Sequence, residues 1–304
     1  MGLLGELIEI ADGVFGYVQP DGGWWVNNSG LLVGRSGVTA VDSCATERRT
    51  RALLATVAGV SRAPVRTLVN THHHGDHTYG NHLFAGATIV GHEDTRREIL
   101  RSGPPRGGDV FEPIDFGHVE LAPPTVTYRD GITLWTDDTR CEVRHVGRPA
   151  HTTNDSIVWL PEQGVLFAGD LLFAGGTPFA VMGSVAGALA VCDEVLRPLG
   201  ATTVVPGHGP VTGPGVVDEV AGYLRYVLDL AGRARAAGLS PLAAAREADL
   251  GDYAAWREPE RLVGNLHRAY AELDGASPGA RIDVRAAMRD MVTLNGGCPL
   301  HCTA

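Results

Sequence analysis

Lysine is absent from this 304-residue chain: all 25 basic side chains are arginine, set against 35 acidic ones, for a formal net charge of −10. A nucleic-acid groove needs a basic field, so that class of partner is disfavoured. The missing lysine, with abundant Ala and Gly, reads as a genomic compositional bias and carries no mechanism. Nor does any stretch reach the about 18 consecutive apolar residues of a membrane span. The start, MGLLGELIEIADG, lacks a basic segment leading into an apolar core and a small-residue cleavage site, and Glu6 stands where a lipidation pattern wants Ser or Thr. A cytoplasmic protein without membrane attachment is the expectation. Cysteine is scarce: Cys44, Cys141, Cys192, Cys298 and Cys302 make an odd number without a CxxC pair, which fits reduced thiols better than a disulfide framework. The tail CPLHC, with His301 between two thiols, reads either as a metal clip or as a docked terminus with ordinary cysteines.

Histidine, by contrast, is concentrated. The alternating, β-branched run VRTLVN (65–70) reads as a strand that delivers Thr71-His72-His73-His74-Gly75-Asp76-His77 to a loop at its carboxyl end. Neutral imidazoles and a carboxylate at this density are ligands that borderline divalent metals prefer. Further candidates lie downstream: His151 in PAHTTND, Asp170 closing the apolar run GVLFAGD, and His208 in VVPGHGP. Together His72, His74, Asp76, His77, His151, Asp170 and His208 would fill two neighbouring metal sites and leave room for solvent. Two cations about 3.5–4 Å apart can share and acidify a water, and Asp76 could both ligate and shuttle a proton as the catalytic acid/base. Asp42, closing the strand GVTAVDS, is either a partner that orients an imidazole or a cap for the helix starting near Thr46.

Around these residues the chain reads as two strand-rich halves. The first forty residues alternate and turn at Asp12-Gly13, Asp21-Gly22-Gly23 and Gly34, giving three or four antiparallel strands, then a helix from about Thr46 to Gly59. ATIVGH is a strand and EDTRREILRS a short helix. Residues 103–130 carry five prolines without helical or strand period, an irregular loop suited to a substrate flap with Phe111 and Phe116 as apolar contacts or as its anchors to the core; His118 within it is not expected to be a ligand. Strands follow near 132–135, 141–146, 156–160 and 165–168, then a helix near 184–196 and the strand TTVVP. From about Pro214 the pattern is helical, a cover on the sandwich, a dimer surface or a lid, and His267 reads as an ordinary helix-face residue.

The order and spacing of the His/Asp set closely resemble the metallo-β-lactamase-fold hydrolase superfamily over roughly residues 5–235. The resemblance implies a mixed α/β, four-layered αββα sandwich, a catalytic domain over 1–235 and a helical extension over 236–304 packed on it. It implies two zinc ions, one held by His72, His74 and His151, a second by Asp76, His77 and His208, with Asp170 bridging. Iron or manganese is left open by ligand type, although no Glu of the flavodiiron kind occurs in the cluster. No expected ligand is missing, which argues against a non-catalytic binding protein.

The motif constrains chemistry more than substrate. The start without an export pattern disfavours a secreted β-lactamase. Hydrolases of the glyoxalase II type share THxHxDH and GDLLF, but the C-terminal basic residues of that family find no counterpart in the pattern here. The segments GGWWVNNSGLLVGRSGVTAVDSCATERRTRALL and LVNTHHHGDHTYGNHLF and the ending NGGCPLHCTA are similar to the actinobacterial branch that includes the actinorhodin-type cyclase/thioesterase of aromatic polyketide biosynthesis. That branch implies thioester hydrolysis coupled to aldol cyclisation of a small-molecule or carrier-protein-bound acyl substrate. Trp24, Trp25, Tyr79, Phe173, Phe179 and Met182 could line a pocket for flat rings or simply pack the rim. A lactone or other ester hydrolase on the same metals is the alternative.

Overall fold

The computed structural model describes residues 4–106 and 108–304; the extreme start Met1-Gly2-Leu3, read above for targeting patterns, and Gly107 of the Pro-rich loop lie outside them. Four strands, β1 (Glu6–Ala11), β2 (Val14–Val18), β3 (Ser29–Val33) and β4 (Val38–Val41), form an antiparallel meander. Helix α1 (Glu47–Val60) then crosses over to β5 (Val65–Val69), which pairs parallel to β4. Its start is set by Thr46, whose side chain accepts from the Arg49 amide. After the four-residue α2 (Gly75–Thr78), β6 (Thr88–His92), α3 (Glu93–Ser102) and β7 (Val126–Tyr128) complete a seven-stranded sheet in sequence order. The irregular segment thus ends in a short edge strand that its prolines concealed.

The second sheet has the order β12-β11-β10-β9-β8. It is built from β8 (Gly131–Thr136), β9 (Thr139–His145), β10 (Ser156–Leu160), β11 (Val165–Phe173) and β12 (Thr203–His208), antiparallel except for the β11/β12 pair. Between β11 and β12, α4 (Val185–Val191) is capped by Ser184 and runs on into a π-type turn over Cys192–Leu196. The tail adds α5 (Gly215–Ala236), α6 (Pro241–Glu247), α7 (Arg261–Leu273) and α8 (Val284–Leu294). Among the described residues, no helix is long and apolar enough to cross a membrane.

Strand periodicity sorts the apolar residues into three clusters. Leu31, Ala40 and Leu68 meet Leu53 and Val57 of α1 on the outside of the first sheet. Leu32, Val41, Val69 and Val90 meet Val143, Val158, Phe167 and Val205 between the sheets. Ile157, Leu166 and Val204 face Val191, Val220 and Leu224, and that cluster continues through Leu262, Leu266 and Met291 of the tail. The result is a mixed α/β four-layered αββα sandwich with helices covering both outer faces. Sheets covered on both faces need continuous apolar strands, which is why β10 and β11 are buried at every position. At one point between the sheets only glycine fits: a Cβ on Gly30 would stand 2.3 Å from the Phe167 ring.

A candidate metal centre at the carboxyl ends of the strands

β4, β5, β9, β11 and β12 deliver the candidate site residues. Thr71 and the histidine cluster follow β5, Asp42 follows β4, His151 lies beyond β9, and His208 ends β12. Asp170 departs from the sequence expectation: β11 does not close at it but runs on to Phe173, with a break in register around Gly169. Gly169 has φ +53°, and this bulge turns the Asp170 carboxylate into the site. Gly207 opposite is obligatory, because a Cβ there would sit 2.0 Å from Asp170 Oδ1.

All seven candidate ligands converge. They form two groups, His72/His74/His151/Asp170 and Asp76/His77/Asp170/His208, in each of which the donor atoms lie within 4.8 Å of one another. Asp170 is common to both. His77 Nε2 is 3.0 Å from its Oδ1, while His151 Nε2 and His208 Nε2 are each 3.3 Å and His72 Nε2 3.9 Å from its Oδ2. His74 turns Nδ1 inward, 2.8 Å from His151 Nε2. Asp76 Oδ2 lies 3.4 Å from His208 Nε2 and 3.7 Å from His77 Nε2.

Four of the five outward imidazole nitrogens are held in place, while the fifth, His74 Nε2, is buried without a hydrogen-bond partner. His72 Nδ1 meets Thr71 Oγ1 at 3.0 Å, His77 Nδ1 meets Asp42 Oδ2 at 2.8 Å, His208 Nδ1 meets the Gly22 carbonyl at 3.1 Å, and His151 Nδ1 meets the Phe179 carbonyl. These contacts set which ring nitrogen faces the centre. Asp42 does not cap α1, a job done by Thr46. Its carboxylate accepts from the Thr71 amide at 2.8 Å and the Thr71 hydroxyl at 2.7 Å as well as facing His77, from a backbone at φ +59°. A non-glycine residue in that region costs on the order of 1–3 kcal/mol, which its three partners offset.

Burial and charge act against each other here. Burial, with neighbouring imidazoles, holds His72 and His74 well below the ordinary histidine range. For His208 burial is outweighed by the Asp170 and Asp76 carboxylates, which push it up to about 9. His77 is raised in the same way by Asp170, Asp76 and Asp42. Asp170 and Asp76 are buried, yet the surrounding imidazoles hold both below the usual carboxylate range. The inward atoms His72 Nε2, His77 Nε2 and Asp170 Oδ1 are buried and have no hydrogen-bond partner. Imidazole nitrogens and a shared carboxylate converging on one space are a donor set that fits divalent cations, which displace the imidazole protons on binding.

Over this centre lies a pocket of about 130 Å³. Of the substrate-pocket candidates, Trp24, Trp25, Phe111, Phe173, Phe179 and Met182 line it, whereas Tyr79 and Phe116 line a neighbouring cavity of about 570 Å³ that shares Trp25 and Phe111. The helical tail also reaches the pocket, through Arg261 and Met288. Nothing in the sequence pattern marked them: Met288 reads as an ordinary packing residue of an amphipathic helix and Arg261 as the solvated start of one. Cys298, His301 and Cys302 do not form a metal clip among the described residues. Instead Leu300 pairs with Phe111 as a strand would, His301 Nδ1 meets Glu112 at 2.7 Å, and Cys302 Sγ donates to the Trp24 carbonyl. His267 faces Asp290 at 2.7 Å across α7 and α8.

Comparison with known proteins bears on the fold family. The chain is 28% identical over 173 residues to a beta-lactamase-like protein 2 homolog of Caenorhabditis elegans, and 30% identical over 149 residues to a hydroxyacylglutathione hydrolase of Rhodospirillum rubrum. The matched segments cover 57% and 49% of this chain, and the chain spans about half the length of these curated relatives, 52% and 50%. Among solved structures, a metallo-beta-lactamase from Pontibacter korlensis superposes with TM-score 0.62 at 20% identity, over 73% of this chain and 99% of that one. The DIM-1 metallo-beta-lactamase gives TM-score 0.60 at 18% identity over 73% and 97%. At these identities the likeness is one of fold. Residues 22–208, more than half the chain and the whole span from Trp24 to the last candidate ligand, match the family description "Metallo-beta-lactamase superfamily"; the chain belongs to that superfamily.

Proposed function

We propose that the protein is a hydrolase of acyl thioesters that works with two zinc ions, one among His72, His74, His151 and Asp170 and one among Asp76, His77, His208 and Asp170. The observation that carries this reading is the pair of donor groups meeting at one shared carboxylate, with His72 Nε2, His77 Nε2 and Asp170 Oδ1 facing inward without a hydrogen-bond partner. Bound there, two divalent cations supply Lewis acidity toward carbonyl oxygens and bring the pKa of a water from about 15.7 toward about 7. The residues do the rest. Asp76 accepts the proton of the attacking water and passes it to the departing sulfur as the acyl C–S bond breaks. Asp42 and Thr71 keep His77 and His72 aimed inward, and Trp24, Phe111, Phe179 and Met182 exclude bulk water.

The thioester is favoured because one relative is a hydroxyacylglutathione hydrolase, whose named substrate is a thioester. The acyl group we propose is a poly-β-ketone, carrier-bound and closed to an aromatic ring by aldol condensation at the same centre; the ring faces lining the pocket suit a flat product. The zinc-loaded protein is to be assayed against parallel panels of acyl thioesters and lactones. Thiol release from the first panel is expected; turnover confined to lactones replaces the thioester reading, and no turnover of either overturns it. Asp170→Ala and His208→Ala are each expected to abolish turnover and lower bound zinc while the fold, followed by circular dichroism, is retained. Loss of folded protein in every ligand variant would make the metals structural.

A further inference from the structure

We infer that Arg261, at the start of α7, is a positioning residue that fixes the candidate ligand His208 and thereby tunes the metal group of Asp76, His77 and His208 from outside the sandwich. Arg261 is 2% exposed although charged. Its guanidinium lies between two aromatic faces, 4.0 Å from the Trp24 ring centre and 5.0 Å from that of Phe173. Nη1 donates to the Thr177 carbonyl at 2.9 Å and Nη2 pairs with Glu258 Oε2 at 2.5 Å.

Both aromatic rings lead to His208. Phe173 stacks on the His208 imidazole with ring centres 5.0 Å apart and planes within 4°. Trp24 is tied down by the same part of the tail, its amide donating to Glu258 Oε1 and its indole N–H to Glu260 Oε1 at 2.7 Å. Two residues before it, the Gly22 carbonyl holds His208 Nδ1. Removing the guanidinium therefore frees the ring stacked on the imidazole and the segment that bonds its outer nitrogen. The first donor group is served by a different residue of the same helix: Asn265 accepts from the Ala180 amide at 2.8 Å and donates to the Pro178 carbonyl at 2.7 Å, bracketing Phe179, whose carbonyl holds His151.

This inference rests on the metal-centre reading, and metal binding separates the two. The metal-stripped protein is titrated with zinc and its two dissociation constants are measured. The wild type binding no zinc sinks the proposed function itself. If it binds two, the double variant Arg261→Met with Glu258→Gln, which removes a buried charge and its partner together and so avoids an orphaned ion, is expected to weaken one ion at least tenfold and leave the other within about twofold. Asn265→Ala serves as the comparison and should weaken the other ion. The ions are assigned with His208→Ala and His151→Ala, each of which removes a ligand from one group only. Equal weakening of both ions in the double variant, or the same ion lost in both α7 variants, overturns the inference, as does unaltered binding. Should the double variant not fold, Phe173→Leu breaks the stack alone and must show the same selective weakening.

Discussion

Asp76 combines two properties that rarely coincide: it is almost buried, and it is ionised, because the imidazoles of His77 and His208 outweigh the cost of burial. Asp76→Asn keeps shape and one ligating oxygen but cannot take a proton. It is expected to lower kcat by about 10²–10⁴-fold, the usual worth of a positioned acid/base, while zinc content measured by elemental analysis falls far less. Parallel loss of both would leave Asp76 a ligand only. His208 yields a pH prediction for the metal-free protein. Its folded pKa, about 9, exceeds the unfolded value of about 6.5, so the stability it contributes is complete below about 6.5 and is lost as pH rises through about 9. His77 shifts in the same direction. Thermal melts in chelator should show Tm falling over that window, whereas a flat profile would mean the imidazoles are not held protonated by Asp170 and Asp76.

The C-terminal tail and the Pro-rich loop act as one element. Leu300 is buried and exchanges backbone bonds with Val110 and Glu112, at 2.7 and 2.9 Å, so the loop that brings Phe111 to the pocket is stitched by residues nearly two hundred positions later. Deleting residues 298–304 is expected to expose Phe111 to chymotrypsin under conditions where the intact chain resists it, with cleavage mapped by mass spectrometry. An unchanged digestion pattern would show that the loop holds itself. The five cysteines play no bridging part: all are free, and burial pushes the thiols of Cys44, Cys141 and Cys192 up to about 12, which makes them inert packing groups.

For the molecule as a whole, the decisive contact is sheet against sheet. The seven-stranded sheet brings Asp42 and the histidine cluster; the five-stranded sheet brings Asp170 and His208. Their separation is set by pairs such as Gly30 against Phe167, so Gly30→Ala drives a methyl into a buried ring. A destabilisation of about 1–3 kcal/mol is expected from such overpacking, measurable by urea unfolding. Because the same displacement separates the two halves of the centre, zinc affinity should fall with it. Lost stability with undiminished zinc binding would show that the centre tolerates sheet movement.

Local patterns made much of this legible. The strand VRTLVN, the helix EDTRREILRS and the strand SIVWL are where periodicity puts them, because short elements of one period declare themselves without tertiary help. The seven candidate ligands stood out for a related reason: metal-ligand chemistry uses few residue types, and these sit at the ends of apolar runs. The continuation of β11 past Asp170 was hidden, since it depends on Gly169 adopting a positive φ that only the neighbouring β12 makes profitable. So was the parting of Tyr79 and Phe116 from the other pocket aromatics. Arg261 is the sharpest case. In a one-dimensional pattern an arginine heading a helix is a solvated end, and only the packing of α7 against Trp24 and Phe173 buries its charge beside the centre. What the order of residues determined by itself was most of the strands and the candidate ligand set, both governed by near neighbours in the chain; which residues enclose the pocket and steady the candidate ligands was decided by contacts between segments far apart in the chain, such as Trp24 with Arg261 and Gly22 with His208, where sequence carries no local signal.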